Sequence, residues 1–181
     1  MNKALFIDRD GVLNQDKGYT HKISDLKLLD GVLEGLQRFQ SLDYKIIIIT
    51  NQSGIARGLF KIKDFHDFMT KMIQIFNNNK ITINDYFFCP HHIDGVVKEY
   101  SISCDCRKPE AGMIFQAQEK YGFDLSKSVL IGDKESDILA GIKANIPLNI
   151  RITKNILLKD SLASYTTKDL IQAAEIIKKI I

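Results

Sequence analysis

Apolar residues in this chain form short unbroken runs that alternate with longer stretches of helical spacing. Residues 4–7 read as a buried strand. Residues 31–42 carry Val32, Leu33, Leu36 and Phe39 at the spacing of a helix with one buried face. Residues 44–49 include four consecutive isoleucines without polar alternation, which predicts a central parallel strand covered on both faces. Helical spacing returns over 62–76, with Ile62, Phe65, Met69, Met72, Ile73 and Phe76 on one side. A third strand is expected over 85–88, followed by an irregular polar loop over 89–109. A helix over 112–121 and a strand over 128–131 come next. A helix then opens within 132–137 and runs to Ala144, and a last strand covers 148–150. The C-terminal helix is expected over 167–180, with Leu170, Ile171, Ala174, Ile177 and Ile180 turned inward. Alternating strands and helices predict an α/β fold: a doubly wound parallel sheet covered on both faces and connected right-handedly. No repeat, low-complexity tract or linker divides the chain, so residues 1–181 read as one domain.

Composition changes this picture little. The chain is 45% hydrophobic and 26% charged, and 181 residues are enough for a proper core. A formal charge of +3 argues against an obligate nucleic-acid binder. No apolar run is long enough to span a bilayer, and Met1-Asn2-Lys3 leads directly into the first strand. The expectation is a cytoplasmic protein, with nothing that demands more than a monomer.

Chemistry gathers where the strands end. Asp8 and Asp10 follow the first strand, and alternation in extended chain would turn both toward one small volume, with Gly11 letting the chain turn. Two carboxylates so close repel unless a cation or a shared proton relieves them; the competing reading is an ordinary acidic loop. Thr50-Asn51-Gln52-Ser53 ends the isoleucine strand, Asp133 and Asp137 follow the fourth strand, and Arg107-Lys108 lies on a loop able to reach them. In such sheets ligands bind beyond the carboxyl ends of the strands. Asp8 and Asp133 offer hard oxygen ligands to Mg²⁺. Asp8 can attack phosphorus, and Asp10 can protonate a leaving oxygen and later take a proton from water. Thr50 can donate a hydrogen bond to the transferring group, and Lys108 adds positive charge.

The three cysteines, Cys89, Cys104 and Cys106, lie within 18 residues. Cys89-Pro90-His91 and Cys104-Asp105-Cys106 make a C-x-H…C-x-C pattern with 12 residues between His91 and Cys104, which suits a closed tetrahedral Zn²⁺. The competing reading is a chance cluster of reduced thiols, and His92 is a rival to His91 as ligand. Zinc here would offset the entropy of ordering a long polar loop and would fix Arg107 and Lys108, which follow Cys106 directly.

Asp8-Arg9-Asp10-Gly11, Thr50-Asn51-Gln52, Lys108-Pro109 and Gly132-Asp133-x-x-x-Asp137 resemble, in order, the four motifs of the haloacid dehalogenase (HAD) superfamily. The resemblance implies a Mg²⁺-dependent phosphatase with Asp8 as nucleophile and Asp10 as general acid and base. It places the metal on Asp8, the Asp10 carbonyl and Asp133, with Asp137 orienting Lys108 or a metal-bound water. Only about forty residues separate Asp10 from Thr50, too few beside one helix for a cap domain, so the enzyme is expected to be capless.

The zinc loop, spanning 89–106, is similar to that of the HAD branch holding the heptose 1,7-bisphosphate 7-phosphatases and the histidinol-phosphate phosphatases. Its long gap resembles the heptose-bisphosphatase family, as do Asp16-Lys17-Gly18-Tyr19, residues 50–58 and Gly132-Asp133-Lys134. The resemblance favours His91 as the zinc ligand. It implies that Asp16, Lys17, Gly18 and Tyr19 close on the sugar, that Arg107 recognises substrate, and that Lys134 touches its phosphate. The competing reading of the 16–19 stretch is a solvated turn. Arg9 is counted with the substrate-binding set, although its side chain, like that of Arg57, reads as a surface or supporting charge. The expected activity is removal of the C7 phosphate to give heptose 1-phosphate. Alternatives are a histidinol-phosphate phosphatase, a polynucleotide 3′-phosphatase, because Thr50-Asn51-Gln52 also suits that branch, and a zinc-stabilised binding module with a dead site.

Overall fold

A computed structural model describes residues 2–154 and 161–180; Met1, Ile181 and residues 155–160 lie outside it, and with them the expectations that touch the two terminal residues. Six strands form one sheet: β1 (Ala4–Ile7), β2 (Lys45–Asn51), β3 (Ile83–Cys89), β4 (Val129–Gly132), β5 (Leu148–Ile152) and β6 (Tyr165–Thr167). Their order is β3-β2-β1-β4-β5-β6, and each neighbouring pair is parallel. The helices are α1 (Val32–Ser41), α2 (Ile62–Asn78), α3 (Gly112–Tyr121), α4 (Glu135–Lys143) and α5 (Leu170–Ile180).

Successive strand side chains point to opposite faces, so each central strand feeds two cores. Leu5, Ile7, Ile46, Ile48, Val129 and Ile131 pack with residues of α1, α2 and α5 on one face. Ala4, Phe6, Ile47, Ile49 and Leu130 pack with residues of α3 and α4 on the other. The four isoleucines of β2 are all buried, as a central parallel strand requires. After β3 the chain crosses back over β1 to begin the other half of the sheet. The carboxyl ends of β1, β2 and β4 therefore meet at a topological switch point.

Between β1 and β2 lie a short 3₁₀ turn (Ile23–Asp25) and α1, and between β2 and β3 lies α2. Among the described residues there is one sheet and no cap built on a second. No helix there is long and apolar enough to cross a membrane.

Several expected boundaries move. Strand β2 runs on through Thr50 and Asn51, because their backbones pair with Phe88 and Cys89 of β3. Strand β5 is not the last: Tyr165-Thr166-Thr167 pairs with it as β6, a β-branched and aromatic run too short to show a period. Thr167 thus belongs to a strand. Helix α5 starts at Leu170, capped by Asp169, whose Oδ1 accepts the Gln172 N–H at 2.8 Å. Ile180, expected inward, is 46% exposed at the end of α5, whereas Phe68 joins the buried face of α2.

Helix α1 comes close to α5 at Gly35. A Cβ there would fall on the Leu170 side chain and lie 2.9 Å from its carbonyl carbon, which cannot rotate away. Gly35→Ala is therefore expected to cost about 1–3 kcal/mol in urea unfolding. Thr70→Ala, on the exposed side of α2, should stay within about 0.5 kcal/mol. Equal stability of Gly35→Ala and wild type would contradict this packing.

Candidate active site

The Asp8 N–H donates to Ile131 O at 2.9 Å, one residue beyond the end of β1, and this fixes Asp8 at the carboxyl edge of the sheet. Its carboxylate is buried and meets Lys108, whose Nζ donates to Asp8 Oδ1 at 2.7 Å and Ile49 O at 3.0 Å. The same ammonium lies 2.6 Å from Asp137 Oδ1, so its three protons have three acceptors. Asp137 is held in turn by the Lys134 N–H, which donates to its Oδ2 at 3.0 Å in the first turn of α4. Any Cβ on Gly132 would collide with the Asp137 side chain, so the end of β4 must be glycine for this carboxylate to come in. Asn51 clamps Lys108 from the other side: its amide donates to Lys108 O and accepts from Lys108 N, both at 3.0 Å. The expected contact between Asp137 and Lys108 is thus present, and Asn51 orients the lysine through its backbone.

Carboxylate oxygens of Asp8, Asp133 and Asp137 all lie within 4.8 Å of one another. One buried ammonium cannot balance three carboxylates. Burial pushes the Asp8 carboxyl up to about 7; Asp137 and Asp133 add to the rise, while Lys108 opposes it. Asp133 is also raised, first by burial and then by Asp137, with Lys134 opposing. Asp133 Oδ1 is buried without a hydrogen-bond partner. Gly11, at φ 85°, lets the turn after β1 pass so close that a Cβ would strike the Asp133 carboxylate. Surplus negative charge, hard oxygen donors and an orphaned carboxylate oxygen fit a divalent cation such as Mg²⁺.

Asp8 and Asp10 both line the cleft, but not through strand alternation, because β1 stops at Ile7 and Asp10 is reached by a turn. The Asp10 carboxylate accepts from Arg9 Nε (3.0 Å) and Nη2 (2.5 Å), Gln52 Nε2 (3.1 Å) and Asn14 Nδ2 (3.0 Å). Gln52 also donates to Thr50 Oγ1 at 2.8 Å. Arg9, counted with the substrate-binding residues, is not in the cleft wall; of the two readings of its side chain the supporting charge holds and the surface charge does not, because it is 0% exposed. Its guanidinium lies over the Phe68 ring at 4.7 Å and the Phe65 ring at 5.6 Å, under α2, and donates to Thr20 O at 2.7 Å.

The cleft has a volume of about 300 Å³. Asp16, Gly18, Tyr19, Thr50, Asn51, Gln52, Ser53, Arg107, Lys108 and Lys134 line it, as expected, and Gly54 and Ser136 join them. Lys17 does not. Asp16 Oδ1 accepts the Gly18 N–H at 2.8 Å, and Gly18 and Tyr19 have positive φ, so the chain reverses there. Lys17 points outward to Asp25 at 2.8 Å. Lys134 Nζ reaches across the mouth to Asp16 Oδ2 at 3.5 Å.

The zinc loop hangs from the end of β3. The Sγ atoms of Cys89, Cys104 and Cys106 lie 2.9–3.5 Å apart, with His91 Nδ1 3.4 Å from Cys106 and 3.7 Å from Cys89. Ligands about 2.3 Å from a tetrahedral zinc stand roughly 3.8 Å apart. The four atoms all lie within 4.8 Å of one another, close enough for one ion, with the sulfur atoms somewhat nearer together than a bound zinc would hold them. All three cysteines are free of disulfides. Contact with Cys89 and burial push the Cys106 thiol up, a penalty that a bound cation reverses. His92 is not in this group; it takes Arg57 Nη2 at 3.1 Å and the Asp94 N–H at 3.1 Å. Arg107, one residue beyond Cys106, donates to His91 O at 3.4 Å.

A parallel sheet with paired acids, a threonine and a buried lysine at its switch point defines a phosphohydrolase of the HAD-like class. The family model described as "Polynucleotide kinase 3 phosphatase" matches residues 4–170. A D-glycero-beta-D-manno-heptose-1,7-bisphosphate 7-phosphatase of Haemophilus influenzae is 37% identical, over 99% of both chains. A D-glycero-alpha-D-manno-heptose-1,7-bisphosphate 7-phosphatase of Photorhabdus laumondii is 46% identical, over 80% of this chain and 79% of its own. A crystal structure of the D,D-heptose 1,7-bisphosphate phosphatase from B. bronchiseptica, complexed with magnesium and phosphate, superposes with a TM-score of 0.84 at 26% identity, covering 99% of each chain. The chain belongs to this phosphatase family and, within it, to the branch of the heptose-1,7-bisphosphate 7-phosphatases.

The raised Asp8 sets a pH dependence. Between the ordinary carboxylate value of about 4 and about 7, the folded protein keeps a proton that the unfolded chain has lost. Stability of the metal-free protein from this group is full below about pH 4 and is lost as pH rises through about 7. Millimolar Mg²⁺ should therefore raise Tm more at about pH 8 than at about pH 5, and Asp133→Asn should remove most of the rise. A rise that is equal at both pH values and survives Asp133→Asn would contradict the site. For the loop, metal analysis should find about one zinc per chain. Cys104→Ser should lose it and lower kcat by about tenfold or more through Arg107 and Lys108; unaltered turnover without zinc would contradict that role.

Proposed function

We propose that this chain, acting as one phosphatase domain over residues 1–181 with its zinc loop at 89–106, removes the C7 phosphate of D-glycero-D-manno-heptose 1,7-bisphosphate. One observation carries the reading. The cleft holds a buried cation, Lys108, at its reacting end and two further cations, Arg107 and Lys134, in its walls, as a small substrate with two phosphates requires. The names of the relatives support the same substrate class, and they include both anomers.

In this reading the reacting phosphoryl group sits beyond the ends of β1, β2 and β4. An Asp8 oxygen attacks phosphorus, and the bond from phosphorus to the C7 oxygen breaks. Asp10 gives its proton to that leaving oxygen, and heptose 1-phosphate departs. Water then attacks the aspartyl-phosphate, its proton passes to Asp10, and inorganic phosphate leaves with Asp8 restored. Thr50 donates to a phosphoryl oxygen, and Lys108, held in place by Asp8, Ile49 O and Asp137, faces the phosphoryl group with its positive charge. Asp8, Asp133 and the Asp10 carbonyl would hold a magnesium ion, which would supply charge neutralisation and orientation for the phosphate. Cys89, His91, Cys104 and Cys106 would hold a zinc ion in a structural role. Reduced thiols are maintained in the cytoplasm, which is where we place the enzyme.

The description of the family model favours a second reading, hydrolysis of a 3′-phosphate on a nucleic-acid end. The formal charge of +3 provides little electrostatic footprint for that partner. Incubation with the heptose bisphosphate, followed by phosphorus NMR, should show loss of the C7 resonance and retention of the C1 resonance. Asp8→Asn should reduce kcat at least ~10³-fold while the protein stays folded. Loss of the C1 phosphate, or faster turnover of nicked DNA ends or histidinol phosphate, would overturn the assignment.

A further inference from the structure

Among the described residues Arg9 is the largest fully buried side chain, and the reaction just described leaves it unused. We infer that Arg9 is a positioning residue for the proton transfer by Asp10, which it joins to the loop that covers the sugar; this rests on the phosphatase reading above. Arg9 grips one Asp10 oxygen with two nitrogens, Nε at 3.0 Å and Nη2 at 2.5 Å. Nη2 also holds Thr20 O at 2.7 Å, at the end of the stretch that brings Asp16, Gly18 and Tyr19 to the cleft, and reaches Gln52 Oε1 at 3.4 Å. Phe68 and Phe65 cover the other side of the guanidinium, so it cannot swing away.

This arrangement is not the one that stability alone would select. Arg9 Nη1 is buried without a partner, and a guanidinium taken wholly out of water carries a desolvation cost. A methionine would pack against the same two rings without it. What the arginine adds is a rigid fork on the one carboxylate that must meet the leaving oxygen at a set distance and angle. Asn14 holds the other Asp10 oxygen at 3.0 Å, so the plane of the carboxyl group is defined from both sides.

The test separates positioning from general support of the fold. An alkyl leaving oxygen, as in the sugar phosphate, needs the Asp10 proton as the bond to phosphorus breaks. A p-nitrophenolate leaves without one. Values of kcat/KM are measured on the heptose bisphosphate and on p-nitrophenyl phosphate for wild type, Arg9→Met, Arg9→Lys, Asp10→Asn and the Arg9→Met/Asp10→Asn double variant. The ratio of the two values is independent of how much of each preparation is folded. Arg9→Met should lose about 100-fold on the sugar phosphate and no more than about 3-fold on the aryl phosphate. Arg9→Lys, with the charge but without the fork, should lose about 10-fold on the sugar phosphate alone. Once Asp10 is asparagine, adding Arg9→Met should change little. Equal losses on both substrates, or losses that multiply in the double variant, would overturn the inference. If the wild type turns over the aryl phosphate but not the heptose bisphosphate, the substrate assignment fails by itself, and the same cycle on an alkyl phosphate that it does hydrolyse decides the role of Arg9.

Discussion

The Lys108 ammonium, held between Asp8 and Asp137 where almost no water reaches, is the constraint on which the site depends. Its exposure is 4%, and that of the two carboxylates is 5% and 2%. Buried ions of this kind do little for stability, yet removing one partner costs about 3–5 kcal/mol, because the others are left uncompensated. The group therefore locks three separate parts of the chain into one geometry: the turn after β1, the loop before α3 and the first turn of α4. It remains short of positive charge. A divalent cation beside Asp8 and Asp133 would supply it, and with that charge in place the cleft could take a phosphate next to the lysine.

The zinc loop belongs to the same construction. Cys89 ends β3 beside Asn51, and Asn51 holds the backbone of Lys108. Cys106 stands two residues before that lysine, so the cysteine cluster and the cleft-lining end of the loop are almost the same piece of chain. A long polar loop has no core of its own to hold it, and a tetrahedral ion on these four side chains would replace one. Fixing the loop there leaves Arg107 in the cleft wall and leaves Arg57 to support the loop from outside through His92.

Much of this was legible in the sequence, for physical reasons. The isoleucine run of β2 has only one comfortable environment, and α3 begins and ends as its pattern predicts. The four polar clusters converge because a parallel sheet brings its carboxyl ends together. What could not be read was orientation within short polar stretches. Arg9 looks like a solvent-facing charge until the aromatic face of α2 closes over it. Lys17 looks like a neighbour of Asp16 until two positive-φ residues turn it outward. Strand β6 is three residues long, too short for periodicity, and only its pairing with β5 reveals it. His91 and His92 are indistinguishable in a dipeptide, and the separation comes from Arg57 and Asp94 engaging one of them.

In the proposed reaction the buried carboxylate of Asp8 carries the phosphoryl group between the sugar and water. Rapid acid quench during turnover, followed by peptide mass spectrometry, tests it most directly. A phosphoryl adduct on Asp8 should form and decay within one turnover. A burst of inorganic phosphate with no adduct at Asp8, or an adduct on another residue, would contradict it.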